Sequence, residues 1–154
     1  MDIPGWRSPR LEFLLLDVNG TLTLDGELLA GVDNGLKALA GVLSVQLVSA
    51  DTFGRLDNIA GELEVGATRL EPGRPESVQK AEVVRQLGGE RVVAIGNEAN
   101  DADMLRAATL GIAVVGPEGL AGGALAAADV VVASINNALG LLVNSKRLIA
   151  TLRR

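Results

Sequence analysis

The sequence contains no cysteine, no histidine and no tyrosine, and its only aromatic side chains are Trp6, Phe13 and Phe53. Without cysteine there is no thiol nucleophile, no disulfide and no cysteine-based zinc site. Without histidine the commonest general base and transition-metal ligand is missing, and a Ser-His-Asp triad is impossible. Positive charge is also scarce. Lys and Arg number 14 against 19 Asp and Glu, a net charge of −5, and no basic run exceeds Lys146-Arg147. Nucleic-acid phosphates demand a basic face, so nucleic-acid binding is excluded as an expectation. No apolar stretch approaches the roughly 20 residues of a membrane span. Residues Met1–Arg7 also lack a signal-peptide core, so a cytoplasmic location is expected. What remains for chemistry is carboxylates, lysine, hydroxyls, backbone dipoles and a hard, oxygen-loving ion. Those are the parts of phosphoryl transfer.

Against these absences stands a hydrophobic content of 48%, with 19 glycines in 154 residues. That suits an Ala/Val/Leu/Gly interior and a single domain over residues 1–154. The chain is organised around Leu11–Thr21, an apolar run too short for a core helix that ends Asp17-Val18-Asn19-Gly20-Thr21. Such a run suits a strand buried on both faces. Asp25-Gly26 between Leu22–Leu24 and Glu27–Leu29 predicts a hairpin standing over Asp17 as a flap. A helix from Asp33, capped by that residue, precedes a second strand at Val45–Val48. A helix over 54–63 and a short strand over 64–70 follow. Glu71–Pro75 is a loop, and the helix bearing Lys80 ends at Gly88-Gly89. Strands are expected at 91–95, 111–115 and 129–132, with helices at 102–109 and in the Ala-rich stretch before the last strand. One terminal helix is expected over 136–152. The alternation predicts an α/β fold, three-layer α/β/α and Rossmann-like, with a mainly parallel sheet and right-handed crossovers.

Four polar clusters fall at or beyond strand ends: Asp17/Asn19/Thr21, Ser49/Asp51/Thr52, Lys80 and Asn97/Asn100/Asp101. In this order the chain resembles the haloacid dehalogenase superfamily. Asp17-Val18-Asn19-Gly20-Thr21-Leu22 is similar to its first motif, which holds the phosphoryl-accepting aspartate. Ser49 resembles the second motif's hydroxyl, Lys80 the third motif, and Gly96–Asp101 the acidic metal loop. Ser49–Gly54, Gly116–Gly119 and Lys146–Arg153 further resemble the small soluble relatives of P-type ATPases.

The resemblance implies a magnesium-dependent phosphohydrolase. Asp17 is then the nucleophile, and Ser49 and Lys80 bind the phosphoryl group. Gly20, Thr21, Ala50 and Asn100 add donors to that group. Magnesium is then held by Asp17, Asn19, Asn97 and Asp101. Two residues depart from the pattern. Asn19 stands where an acid–base aspartate is usual, which implies slow turnover, and Asn97 stands where a ligating aspartate is common. Only 32 positions separate Asp17 from Ser49 and 31 separate Ser49 from Lys80, numbers that leave no room for a cap domain. An open site of that kind suits a phosphorylated small molecule or a phosphoprotein, or cover by a second copy in a dimer or tetramer. The alternative is a weakly active or inert phosphoacceptor module on the same fold. A dinucleotide-binding domain fits poorly, because no Gly-x-Gly-x-x-Gly follows the first strand.

Overall fold

The run Phe13–Asp17 forms strand β1, whose leucines 14, 15 and 16 are wholly buried. A computed structural model describes all residues, 1–154. β1 lies at the centre of a six-stranded sheet together with β4 (Ser44–Ser49), β5 (Gly66–Arg69), β6 (Val92–Gly96), β7 (Leu110–Val114) and β8 (Val130–Val132). The spatial order is β5-β4-β1-β6-β7-β8, and every pairing is parallel rather than only most of them.

Side-chain alternation sorts the core onto two faces. Leu14, Leu16, Val93, Ile95 and Ile112 join the larger cluster. It is covered by α1 (Val32–Leu39), α2 (Leu56–Leu63), α6 (Ile135–Val143) and α7 (Ser145–Leu152). Leu15, Val92, Ala94 and Ala113 face the other way, against α3 (Glu76–Leu87), α4 (Ala102–Ala107) and α5 (Gly122–Ala127). The result is the expected three-layer α/β/α arrangement.

The connections run from β1 outward through β4 to β5, then return across the sheet to β6, β7 and β8. β1 therefore flanks the point where strand order reverses, and a crevice opens beyond its carboxyl end. The strand that carries Asp17 is the one the topology places at that crevice.

Several boundaries differ from expectation for physical reasons. The terminal helix is two helices, because Asn144 adopts φ −114°, ψ 82° and breaks the α-helical path. The break turns α7 so that Leu148 and Leu152 reach the core. α1 begins at Val32 behind Gly31, whose φ of 87° turns the chain into the helix. Asp33 is thus inside the first turn, paired with Lys37, and is not the cap. α2 starts at Leu56, because Asp51 Oδ1 accepts the Leu56 N–H at 2.9 Å and holds the preceding residues in a turn.

The hairpin forms as expected from β2 (Thr23–Leu24) and β3 (Glu27–Leu28). Its turn residues Asp25 and Gly26 both have positive φ, the geometry that matches strand twist. It is latched to the β4–α2 loop by an Arg55–Glu27 ion pair at 2.8 Å and by Phe53 lying over Gly26. No helix is long and apolar enough to cross a membrane.

Candidate active site

At the carboxyl end of β1, Asp17 has the same parity as Leu15 and so faces the layer containing α3. Lys80, in the second turn of α3, meets it there. The Lys80 Nζ donates to Asp17 Oδ1 at 2.9 Å, to Asp101 Oδ1 at 2.8 Å and to Asn100 Oδ1 at 2.8 Å. An ammonium has three protons, and all three are spent. Asp17, Lys80, Asn97 and Asp101 are each 3% exposed or less, so these contacts are shielded from water.

The loop after β6 is shaped to deliver its acid. Asp101 Oδ2 accepts the backbone N–H of Asn97 and of Glu98, both at 2.9 Å. Gly96 is required for that approach, since a Cβ there would run into the Asp101 carboxylate. Asn100 is oriented by its amide, which donates to Glu76 Oε2 at 2.7 Å and to Glu98 Oε2 at 3.1 Å. Its carbonyl oxygen is left facing Lys80. Glu76 and Glu98 belong to the site, although neither falls in a resembling motif position that names it. Glu118 also approaches, its carboxylate lying where a Cβ on Gly20 would stand.

Thr21 closes the other side of Asp17. Its hydroxyl lies 3.0 Å from Asp17 Oδ2 and 2.9 Å from Asn97 Oδ1. A hydroxyl has one proton and can satisfy only one of these acceptors at a time. One buried oxygen therefore wants a further positive partner. Together with the excess of carboxylates over the single ammonium, this fits a small hard cation bound by oxygen alone.

Four expected contributors, Ser49, Gly20, Thr21 and Asp101, are engaged within the protein. Ser49 ends β4 next to β1, but its Oγ accepts the Asp51 N–H at 2.9 Å, so it caps the turn and does not touch the Asp17–Lys80 cluster. The Gly20 N–H donates to the Thr23 carbonyl at 2.9 Å, and the Thr21 N–H to the Val18 carbonyl, so neither amide is free for a phosphate. Both oxygens of Asp101 are already engaged, which makes it the anchor of Lys80 and of its own loop. Asn19 and Ala50 are half-buried at the rim.

Burial raises the Asp17 carboxyl to about 7, and the Asp101 charge adds to the rise, outweighing Lys80. Lys80 is held more firmly protonated than an ordinary lysine. Burial opposes its charge, but Asp17 and Asp101 overcome that effect. Burial likewise raises Glu98.

A stability consequence follows. The folded Asp17 holds its proton more tightly than the unfolded one, so its penalty is absent below about pH 4, builds toward pH 7 and is complete above it. Asp17→Asn removes the charge at constant shape and should stabilise the metal-free protein at pH 8 by about 1–3 kcal/mol, partly offset by the lost Lys80 contact. The melting temperature rises by roughly 3–10 °C at pH 8 and changes little at pH 5. Thermal melts in EDTA decide it, and an equal shift at both pH values would remove the charge explanation.

Fold and site together define an enzyme of the parallel α/β class with a carboxylate–lysine centre at the switch point of its sheet. The model of the haloacid dehalogenase-like hydrolase family matches residues 75–141, the segment that carries Lys80 and the Asn97–Asp101 loop. An uncharacterized protein of Methanocaldococcus jannaschii is 42% identical over 82 residues, which are 51% of this chain and 88% of that protein. The 3-deoxy-D-manno-octulosonate 8-phosphate phosphatase of Moraxella catarrhalis, solved with magnesium, phosphate and its sugar, superposes with a TM-score of 0.68. It is 20% identical, over 94% of this chain and 95% of that one. The cobalt-bound deoxy-D-mannose-octulosonate 8-phosphate phosphatase of Haemophilus influenzae gives a TM-score of 0.68 at 18% identity, over 93% and 90% of the two chains. Residues 75–141 thus match the haloacid dehalogenase-like hydrolases, and the whole chain shares the fold of the two phosphatases.

Proposed function

We propose that this hydrolase is a magnesium-dependent phosphohydrolase that works through an aspartyl phosphate on Asp17, in one capless unit over residues 1–154. The observation that carries the reading is the buried Asp17–Lys80–Asp101 cluster at the switch point, with an oxygen-only donor set beside it. A phosphorylated small molecule is the substrate class, as it is for the phosphatases that share the fold.

A carboxylate oxygen of Asp17 attacks phosphorus in line. The bond from phosphorus to the leaving oxygen breaks as the Asp17–phosphorus bond forms, and the departing alkoxide takes a proton from solvent. Lys80 exchanges its contact with Asp17 Oδ1 for the equatorial phosphoryl oxygens, where negative charge is greatest. Asp101 and Asn100 keep its ammonium aimed throughout. Asp17, Asn97 and the Asn19 carbonyl would hold magnesium, which when bound would neutralise the converging anions. Water then attacks phosphorus, inorganic phosphate leaves, and the Asp17 carboxylate is restored. Asn19 cannot activate that water, so the second step is the slow one.

Treatment with radiolabelled acetyl phosphate tests the reading. Label enters the wild type in magnesium, fails to enter in EDTA, and is absent from Asp17→Asn. Label retained by Asp17→Asn, or absent from the wild type, overturns it. A second reading, a phosphoacceptor module with little turnover, is favoured by Asn19. It predicts a labelled protein that does not release phosphate.

A further inference from the structure

Lys80 stands at one end of a chain of contacts whose other end lies on its own helix. Glu76, in the first turn of α3, precedes it by four residues, a spacing that puts both side chains on one face. Lys80 pairs with Asp17 and Asp101 and not with Glu76, and Asn100 sits between the two. The Asn100 carbonyl oxygen accepts from Lys80 Nζ at 2.8 Å, and its amide nitrogen donates to Glu76 Oε2 at 2.7 Å. The second amide proton goes to Glu98 Oε2 at 3.1 Å.

The two ends of an asparagine amide have nearly the same shape, so hydrogen-bond partners choose which end faces the ammonium. Turned over, Asn100 would aim N–H donors at a cation and its oxygen at two carboxylates. Lys80 is 1% exposed, so the proton it gives to Asn100 could not turn to water instead, and a buried donor without a partner is costly. Glu76 makes the shorter of the two carboxylate contacts and rides on the helix that carries Lys80. It therefore fixes the amide relative to the ammonium. Glu98, two residues before Asn100, fixes it only relative to their shared loop.

The consequence falls on phosphoryl transfer. When Lys80 gives up Asp17 Oδ1 for a phosphoryl oxygen, two contacts remain to aim it, Asp101 Oδ1 and Asn100 Oδ1. Held by Asp101 alone, the ammonium would pivot about one contact, and a misaimed donor slows the step. We infer that Glu76 is a positioning residue for phosphoryl transfer, acting on Lys80 through the Asn100 amide and without contact to Asp17. The inference rests on the phosphohydrolase reading above for the step that Lys80 serves.

Single-turnover labelling of Asp17 by acetyl phosphate in magnesium tests the kinetic half. Glu76→Ala should lower the limiting rate about tenfold and leave the half-saturating donor concentration within about twofold. Glu76→Gln, whose carbonyl can still accept the Asn100 N–H, should stay within about threefold of the wild-type rate. In an Asn100→Ala background the effect of Glu76→Ala should vanish, because the chain of contacts is already cut. An effect of equal size in that background overturns the proposal, as does a Glu76→Ala rate equal to the wild type.

A spectroscopic readout needs no turnover. Lysine occurs only at positions 37, 80 and 146, and Lys37 and Lys146 are exposed. In protein labelled with ¹⁵N-lysine and held in EDTA, Lys80 should give the one slowly exchanging Nζ resonance. It should shift or broaden in Glu76→Ala and return in Glu76→Gln. It should stay in place in Glu82→Ala, which removes the same charge elsewhere on α3, where Glu82 pairs with Arg74. A resonance unmoved by Glu76→Ala, or moved as far by Glu82→Ala, overturns the proposal. Failure of acetyl phosphate to label the wild type is a separate result, against the phosphohydrolase reading, and the Lys80 resonance then judges the contact chain by itself.

Discussion

Asn19→Asp raises steady-state turnover of an aryl phosphate by about 10² to 10⁴, the usual worth of a positioned general acid–base group. Asn19 stands two residues after Asp17, half-buried at the rim where water arrives. On the proposed mechanism an aryl or acyl donor needs little protonation of its leaving group, so Asp17 should be phosphorylated in the wild type. No side chain would then deprotonate the attacking water, and the phosphoenzyme should persist. Asparagine and aspartate are nearly isosteric, so the substitution adds a base without altering the loop, whose Gly20 N–H is already tied to the Thr23 carbonyl. The trapped label should fade as turnover rises. The opposing effect is repulsion between a new carboxylate and the incoming phosphate, in a site where Asp17, Asp101 and Glu98 face one lysine. Single-turnover rates separate the two steps. Faster dephosphorylation supports the acid–base position. Slower phosphorylation with unchanged dephosphorylation refutes it.

Lys80→Met destabilises the metal-free fold by about 3–5 kcal/mol, as removal of one partner of a buried ion pair does. For a chain of this length the melting temperature falls by roughly 6–20 °C. Lys80 is 1% exposed and bonds two buried carboxylates, so its loss leaves Asp17 and Asp101 as uncompensated neighbours. The cost depends on pH. Asp17 is protonated below its folded value of about 7, and without Lys80 that value rises further. The loss should therefore be largest at pH 8 and smaller at pH 5. The Asp17→Asn/Lys80→Met double variant should recover part of the pH 8 loss, since one of the two stranded anions is gone. A loss equal at both pH values would assign Lys80 a packing role instead.

Much of the framework was legible from local pattern. Leu14-Leu15-Leu16 could only be a strand buried on both faces, and Asp25-Gly26 could hardly be other than a hairpin turn. The order of Asp17, Ser49, Lys80 and Asn97–Asp101 along the chain was enough to suggest the family. Boundaries were less legible where single residues decide them. Nothing in the composition of 136–152 says that Asn144 leaves the helical region, and Gly31 displaced Asp33 as the start of α1 through its positive φ.

The amino-acid sequence by itself determined the strand and helix content, the absence of histidine and cysteine chemistry, and the candidate nucleophile. These depend on residue type and short-range periodicity, which the linear chain carries in full. Tertiary structure alone decided how the candidates divide their work. The Ser49 hydroxyl oxygen accepts the Asp51 N–H of its own turn, and Asp101 is committed to Lys80 and two backbone amides. Glu76 and Glu98, 22 positions apart, met on the Asn100 amide. The cavity lined by Thr21, Val115 and Asn136 is built from three separate loops. Such choices depend on which hydrogen-bond partner lies within about 3 Å, and that is a property of the folded sheet and its crossovers.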